Sequence, residues 1–69
     1  MKNNIRIERA IKDITQDELS HLVQVSRQTI NAIESGKYVP STLLSLKISK
    51  IFKKNVNDIF QLERSDWKE

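Results

Sequence analysis

Residues 15–36 read TQDELSHLVQVSRQTINAIESG, two short helical patterns joined by a tight turn. Thr15 is placed to cap the first. Its hydroxyl can accept the backbone N–H of Glu18, while the Glu18 carboxylate reaches back to the cap. Leu19, Leu22 and Val23 then fall on one face at helical spacing, and Val25 closes the turn with an apolar residue aimed between the helices. Ser26 caps the second helix, Ile30 and Ile33 form its buried stripe, and Gly36 ends it in the left-handed conformation that helix C-termini favour. This leaves Arg27, Gln28, Thr29, Asn31 and Ala32 facing outward. The pattern suits a device that puts the start of its second helix into the major groove of DNA.

The 69 residues predict one domain over 1–69, with 62–69 as a partly ordered tail, because a chain this short barely buries enough apolar surface for one core. With no cysteine there is neither a disulfide staple nor a thiolate metal site. Gly36 is the only glycine and Pro40 the only proline, too few turn residues for an all-β chain, so the fold class is all-α. The net charge of +3 is unevenly placed: residues 1–54 hold ten Lys or Arg against five acids, and residues 55–69 hold two against four. A basic body favours phosphate backbones, although a net charge of this size weighs little alone. No apolar run approaches the roughly 18 residues of a membrane span, and the N-terminal stretch lacks a signal-peptide core, so no membrane partner is expected and the compartment is the cytoplasm.

Outside the central stretch, Asn3 or Asn4 caps a first helix. Ile7, Ala10, Ile11 and Ile14 supply its apolar contacts, Arg6, Arg9 and Lys12 lie on or beside its solvent face, and Asp13 ends it. After the loop Lys37–Pro40, Ser41 caps a core helix in which Leu44, Ile48, Ile51 and Phe52 share one face and Leu43 and Leu46 lie on another. Lys53–Asn55 form a polar turn with Asn55 suited to positive φ, and Asn57 caps a short last helix through Ile59 and Phe60. Pairing of residues 1–4 with 62–66 is conceivable but not demanded.

The TQ-x-EL opening, the SRQTI-x-x-IE-x-G core, the following KY-x-PS, and KI-x-x-IF through to IFQLE resemble the helix-turn-helix of the lambda repressor and Cro family, called XRE-type. The resemblance covers nearly the whole chain and is strongest to short regulators consisting of little beyond this domain. It implies a five-helix, lambda-repressor-like domain whose third helix is the recognition helix. Carried over, the first, second and sixth residues of that helix are Arg27, Gln28 and Ala32. The chemistry agrees, since Arg pairs with guanine, Gln with adenine, and an alanine methyl packs on a thymine methyl. Thr29 and Asn31 reach bases or phosphates. Gln16 matches the family glutamine that donates to a phosphate, and Ser26, Lys37, Tyr38 and Arg9 are further phosphate partners. Two positions depart from the family: Gln24 stands where the turn usually has glycine, and Asp13 replaces a common glycine after the first helix.

The bland alternatives are a solvated helix face for Arg27, Gln28 and Asn31, and a packing role for Tyr38. His21 stands alone, so no metal site is expected. Ser65 to Lys68 fit the S-x-x-K letters, but no pocket or base supports them, so the chain is not read as an enzyme and needs no cofactor. A small domain with one recognition helix gains stability and specificity by pairing, and family habit points to the region of the fifth helix. The expected homodimer contact is therefore Leu46, Ile59, Phe60, Leu62 and Trp67. Together these readings give a sequence-specific regulator of transcription that represses from a palindromic operator. The rival is an antitoxin-like protein-interaction module whose DNA binding is secondary. In a milder variant, Asp17 contacts RNA polymerase and the regulator activates.

Overall fold

The computed structural model describes residues 1–67; Lys68 of the S-x-x-K letters and Glu69 of the tail lie outside the described residues. Five α-helices build the fold: α1 (Ile5–Lys12), α2 (Gln16–Val23), α3 (Arg27–Glu34), α4 (Thr42–Phe52) and α5 (Val56–Ile59). A two-stranded antiparallel pair, β1 (Lys2–Asn3) with β2 (Phe60–Gln61), ties the chain ends together, Lys2 opposite Gln61 and Asn3 opposite Phe60. The pairing partner of the N-terminal residues is thus 60–61 rather than 62–66. The architecture is all-α with five helices, as in lambda-repressor-like domains.

The caps form where local chemistry places them. Thr15 Oγ1 accepts from Glu18 N at 3.0 Å and Glu18 Oε1 accepts from Thr15 N at 2.9 Å, which completes the capping box of α2. Ser26 and Ser41 cap α3 and α4 in the same sense, each accepting at 3.1 Å from the residue three positions on. At α1 the two asparagines divide the work: Asn3 Oδ1 accepts from Ile5 N, while Asn4 Nδ2 donates to the Asp58 carbonyl. The cap of α5 is Asn55 and not Asn57, because the preceding turn closes earlier, with positive φ at Lys53 instead of Asn55.

Helix C-termini repeat one device. After α1, α2, α3 and α4 a residue takes the left-handed conformation, Asp13 at φ 58°, Gln24 at 63°, Gly36 at 79° and Lys53 at 54°. In each case the next N–H bonds five residues back, as in Ile14 to Arg9, Val25 to Ser20, Lys37 to Ala32 and Lys54 to Ser49. This is the Schellman closure. Only one of the four uses glycine, so three positions carry the cost of an L side chain in that region.

The core gathers Leu19 and Val23 of α2, Ile30 and Ile33 of α3, Leu44, Ile48 and Phe52 of α4, and Ile5, Ile59 and Phe60. Four expected contributors face solvent, Ala10 among them. Leu22 is exposed, and the isoleucine stripe of α1 is turned outward, with Ile7 59% and Ile11 71% exposed and only Ile14 packed against the core. The buried face of α1 instead holds Ile5 and Glu8, with Arg9 beside them. This face is held by the wholly buried Ile5 together with two ion pairs: Lys54 donates to Glu8 at 3.1 Å, and Arg9 pairs with Glu34 on α3. In the tail, Arg64–Trp67 form a 3-10 turn. The Met1 ammonium holds it at 3.2 Å from both Glu63 and Asp66, and Trp67 stays exposed.

Candidate nucleic-acid interface

Helix α3 is presented by α2, its principal packing partner, through the apolar stripes of the two helices. The turn between them passes through Gln24, whose left-handed backbone takes the conformation for which glycine is the usual choice. The turn therefore closes with ordinary hydrogen bonding, Val25 N to Ser20 O at 3.0 Å. A side-chain contact adds to it: Lys47 Nζ of α4 donates to Gln24 Oε1 at 3.1 Å.

Of the outward group, Arg27, Gln28 and Asn31 are exposed and line one shallow concavity at the start of α3. Thr29 and Ala32 are only half-exposed. The Thr29 hydroxyl lies 2.9 Å from the Ser26 hydroxyl, and the Thr29 N–H donates to that same oxygen, so both residues take part in the cap of α3. Lys37 and Tyr38 are exposed beyond the end of α3, where both backbone N–H groups donate to the Ala32 carbonyl. Asp17 is exposed in the first turn of α2.

Gln16 and Arg9, both partly buried, converge on Glu34. The Arg9 fork donates Nε to Glu34 Oε2 at 2.6 Å and Nη2 to Glu34 Oε1 at 3.1 Å, and Nη1 donates to the Ile14 carbonyl at 3.1 Å. Hydrogen bonding to Glu34 holds this guanidinium protonated even more firmly than usual. Three of its five N–H donors are engaged within the subunit, so Arg9 is a brace first and has only its second Nη1 and Nη2 hydrogens left for a phosphate. It braces α1 and the end of α2's lead-in against α3. Gln16 Nε2 donates to Glu34 Oε1 at 3.1 Å, and its Oε1 lies 3.5 Å from Asn31 Nδ2. One amide hydrogen of Gln16 remains for an outside acceptor, since the NH2 group has two.

Glu34 is the residue that the sequence did not single out. It is the E of the IE-x-G letters, its side chain is 2% exposed, and its partner lies 25 residues away on another helix. The only local sign was an acid directly beside the buried stripe of Ile30 and Ile33.

The expected pairing surface also changes in membership. Ile59 at 0% and Phe60 at 7% exposure are core residues of the subunit, Ile59 as the last residue of the one-turn α5 and Phe60 as the first of β2. Leu46, Leu62 and Trp67 are exposed, as is Leu43. Among the described residues no helix is long and apolar enough to cross a membrane.

Comparison with known proteins agrees with this geometry. Residues 5–59 match the family model described as helix-turn-helix. The chain is 49% identical over 63 residues to an uncharacterized HTH-type transcriptional regulator of Methanocaldococcus jannaschii, covering 91% of this chain and 96% of the relative. It is 47% identical over 66 residues to the HTH-type transcriptional regulator YgzD of Bacillus subtilis, covering 96% of this chain and all of the relative. An uncharacterized HTH-type transcriptional regulator of Archaeoglobus fulgidus is 39% identical over 66 residues, covering 96% of this chain and 93% of the relative.

Proposed function

We propose that this chain, which belongs to the XRE-type helix-turn-helix family of DNA-binding transcriptional regulators, acts as a repressor that occupies a palindromic operator as a homodimer. The observation that carries the reading is the presentation of α3: Arg27, Gln28 and Asn31 are exposed together at the start of a capped helix that is braced from two sides. Arg27 offers a fork to guanine O6 and N7, Gln28 an amide to adenine N6 and N7, and Ala32 a methyl to thymine. Gln16 at the N-terminus of α2, with Ser26, Lys37 and Tyr38, supplies contacts to the phosphates on either side.

Pairing would use Leu43, Leu46, Leu62 and Trp67, the large apolar side chains left exposed on α4 and the tail. A twofold dimer sets two recognition helices about 34 Å apart, one turn of DNA. Selection of bound sites from random DNA tests the whole reading. A palindrome with half-sites one turn apart is expected, whereas retention of DNA without any enriched sequence would overturn it. In gel-shift titrations Arg27→Ala and Gln28→Ala each relax one base position, while Lys37→Ala weakens all sequences alike and lowers the salt slope by about one.

Trp67, displayed on an ordered turn, favours a second reading in which the chain captures a partner protein. Co-purification of a second polypeptide at fixed stoichiometry, without DNA retardation, would support that reading over the first. Exposure of Asp17 in the first turn of α2 suits a contact with RNA polymerase, and in vitro transcription with Asp17→Ala separates activation from repression.

A further inference from the structure

Glu34 lies on the recognition helix with its side chain 2% exposed, its carboxylate turned toward α1 and α2 and approached at 3.9 Å by the exposed Arg6. Its carboxylate accepts from Arg9 and from Gln16 Nε2, and a carboxylate of this kind only accepts. The Gln16 amide must therefore turn its NH2 toward Glu34 and its carbonyl away. On that far side is the Asn31 amide, whose Nδ2 lies 3.5 Å from Gln16 Oε1. A carbonyl oxygen likewise only accepts, so this long contact favours the Asn31 NH2 turned inward, which leaves Oδ1 free on the side of the residue that lines the concavity with Arg27 and Gln28. One buried acid thus sets the orientation of the Gln16 amide and, through it, biases that of Asn31.

We propose that Glu34 is a specificity-determining residue that acts through Gln16 on Asn31, a role that rests on the reading of α3 as the base-reading helix. It is a positioning residue and meets no base itself. With Oδ1 outward, Asn31 accepts hydrogen bonds and pairs with an exocyclic amino group, N6 of adenine or N4 of cytosine. Guanine and thymine offer it only the acceptors N7, O6 and O4. The base under Asn31 is therefore selected for an amino group in the major groove.

Site selection from random DNA with the full chain tests this, using the parent, Asn31→Ala, Glu34→Gln and Gln16→Met. Asn31→Ala identifies the position read by Asn31, where the parent prefers adenine or cytosine on the order of tenfold. Glu34→Gln can accept from Arg9 through its oxygen and donate its own NH2 to Gln16, which lets both following amides turn over. The preference at that one position then disappears or reverses toward guanine or thymine, while the other positions keep theirs. A purely structural role for Glu34 would weaken all positions together. Gln16→Met leaves the Arg9 to Glu34 pair intact, so it folds even if Glu34→Gln does not, and it too loses the preference at that position. A folded Gln16→Met or Glu34→Gln that keeps adenine or cytosine there overturns the inference alone. A parent that enriches no sequence overturns the base-reading role of α3, and this inference with it.

Discussion

Replacing Gln24 with glycine should make the protein more stable, although Gln24 makes a hydrogen bond and glycine makes none. Gln24 sits at φ 63° and ψ 45°, where an L side chain costs roughly 1–2 kcal/mol. Glycine removes that cost and returns about 0.5–1 kcal/mol as extra freedom of the unfolded chain. The lost contact with Lys47 Nζ is solvent-exposed and contributes only a few tenths, roughly. The difference leaves Gln24→Gly ahead by about 0.5 kcal/mol, or roughly 2–4 °C in Tm for a domain of this size. The mirror experiment is Gly36→Ala. Gly36 closes α3 with the same motif at φ 79°, and a Cβ there meets nothing within 4 Å, so strain offset in part by the lower entropy of the unfolded chain sets the effect and the sign reverses, a loss of about 0.5–1 kcal/mol. Urea unfolding followed by helix circular dichroism reads both, with the m-value unchanged. The turn already has the geometry glycine prefers, so Gln24→Gly also keeps the parent's selected DNA sites. A Gln24→Gly chain no more stable than the parent, or a Gly36→Ala chain as stable as the parent, would refute the account of the helix ends.

Three further outcomes follow from the packing. Arg9→Met strips Glu34 of its principal partner and should cost about 3–5 kcal/mol, much of the stability of so small a domain, whereas Arg9→Met with Glu34→Leu recovers most of that loss. Both are read by urea midpoint. Ile11→Lys should change stability by no more than about 0.5 kcal/mol because the side chain is exposed, while Ile5→Ala, wholly buried, should cost about 2–5 kcal/mol; equal penalties in thermal melts would show that α1 is rotated otherwise. The tail clasp should open at both ends of the pH scale. Asp66 is held below the usual carboxylate range by the Glu63 N–H and then by the Met1 ammonium, so its contribution is present above the unfolded pKa and lost as pH falls through the folded one. The Met1 ammonium is raised by hydrogen bonds to Asp66 and then Glu63, so its contribution is present below the unfolded pKa and lost as pH rises through the folded one. Trp67 fluorescence should therefore hold a plateau around neutrality and change on either side, and Asp66→Asn should abolish the acid transition.

What could be read from residue order alone was what is decided within a few residues. Thr15 and Glu18 are three apart and settle the start of α2 between themselves. The left-handed end at Asp13 was legible from the tolerance of aspartate for that conformation, whereas the one at Gln24 was indicated by the resemblance to a family that usually has glycine at that turn. Lys53 was not, since lysine carries no preference for that conformation and Asn55 nearby offered a better one. The turn took its place from the length of α4, which the core sets through Phe52.

The phase of α1 shows the opposite case. Ile7, Ile11 and Ile14 recur at helical spacing, and periodicity alone puts them inside. Yet a helix of two turns has little apolar area with which to choose its own rotation, and here two long-range pairs lie on the same inward face as Ile5. Arg9 finds Glu34 at a separation of 25 residues, and Glu8 finds Lys54 at 46. Neither separation leaves a trace in local pattern, because an arginine reads as a surface letter whether its fork meets water or a buried acid. Bringing Arg9 to Glu34 turns Ile7 and Ile11 toward solvent in the same motion. The exposed isoleucines and the arginine that was expected at a phosphate are therefore one rotation seen from two sides. Its far end is Glu34, through which α1 reaches Gln16 and the reading face of α3.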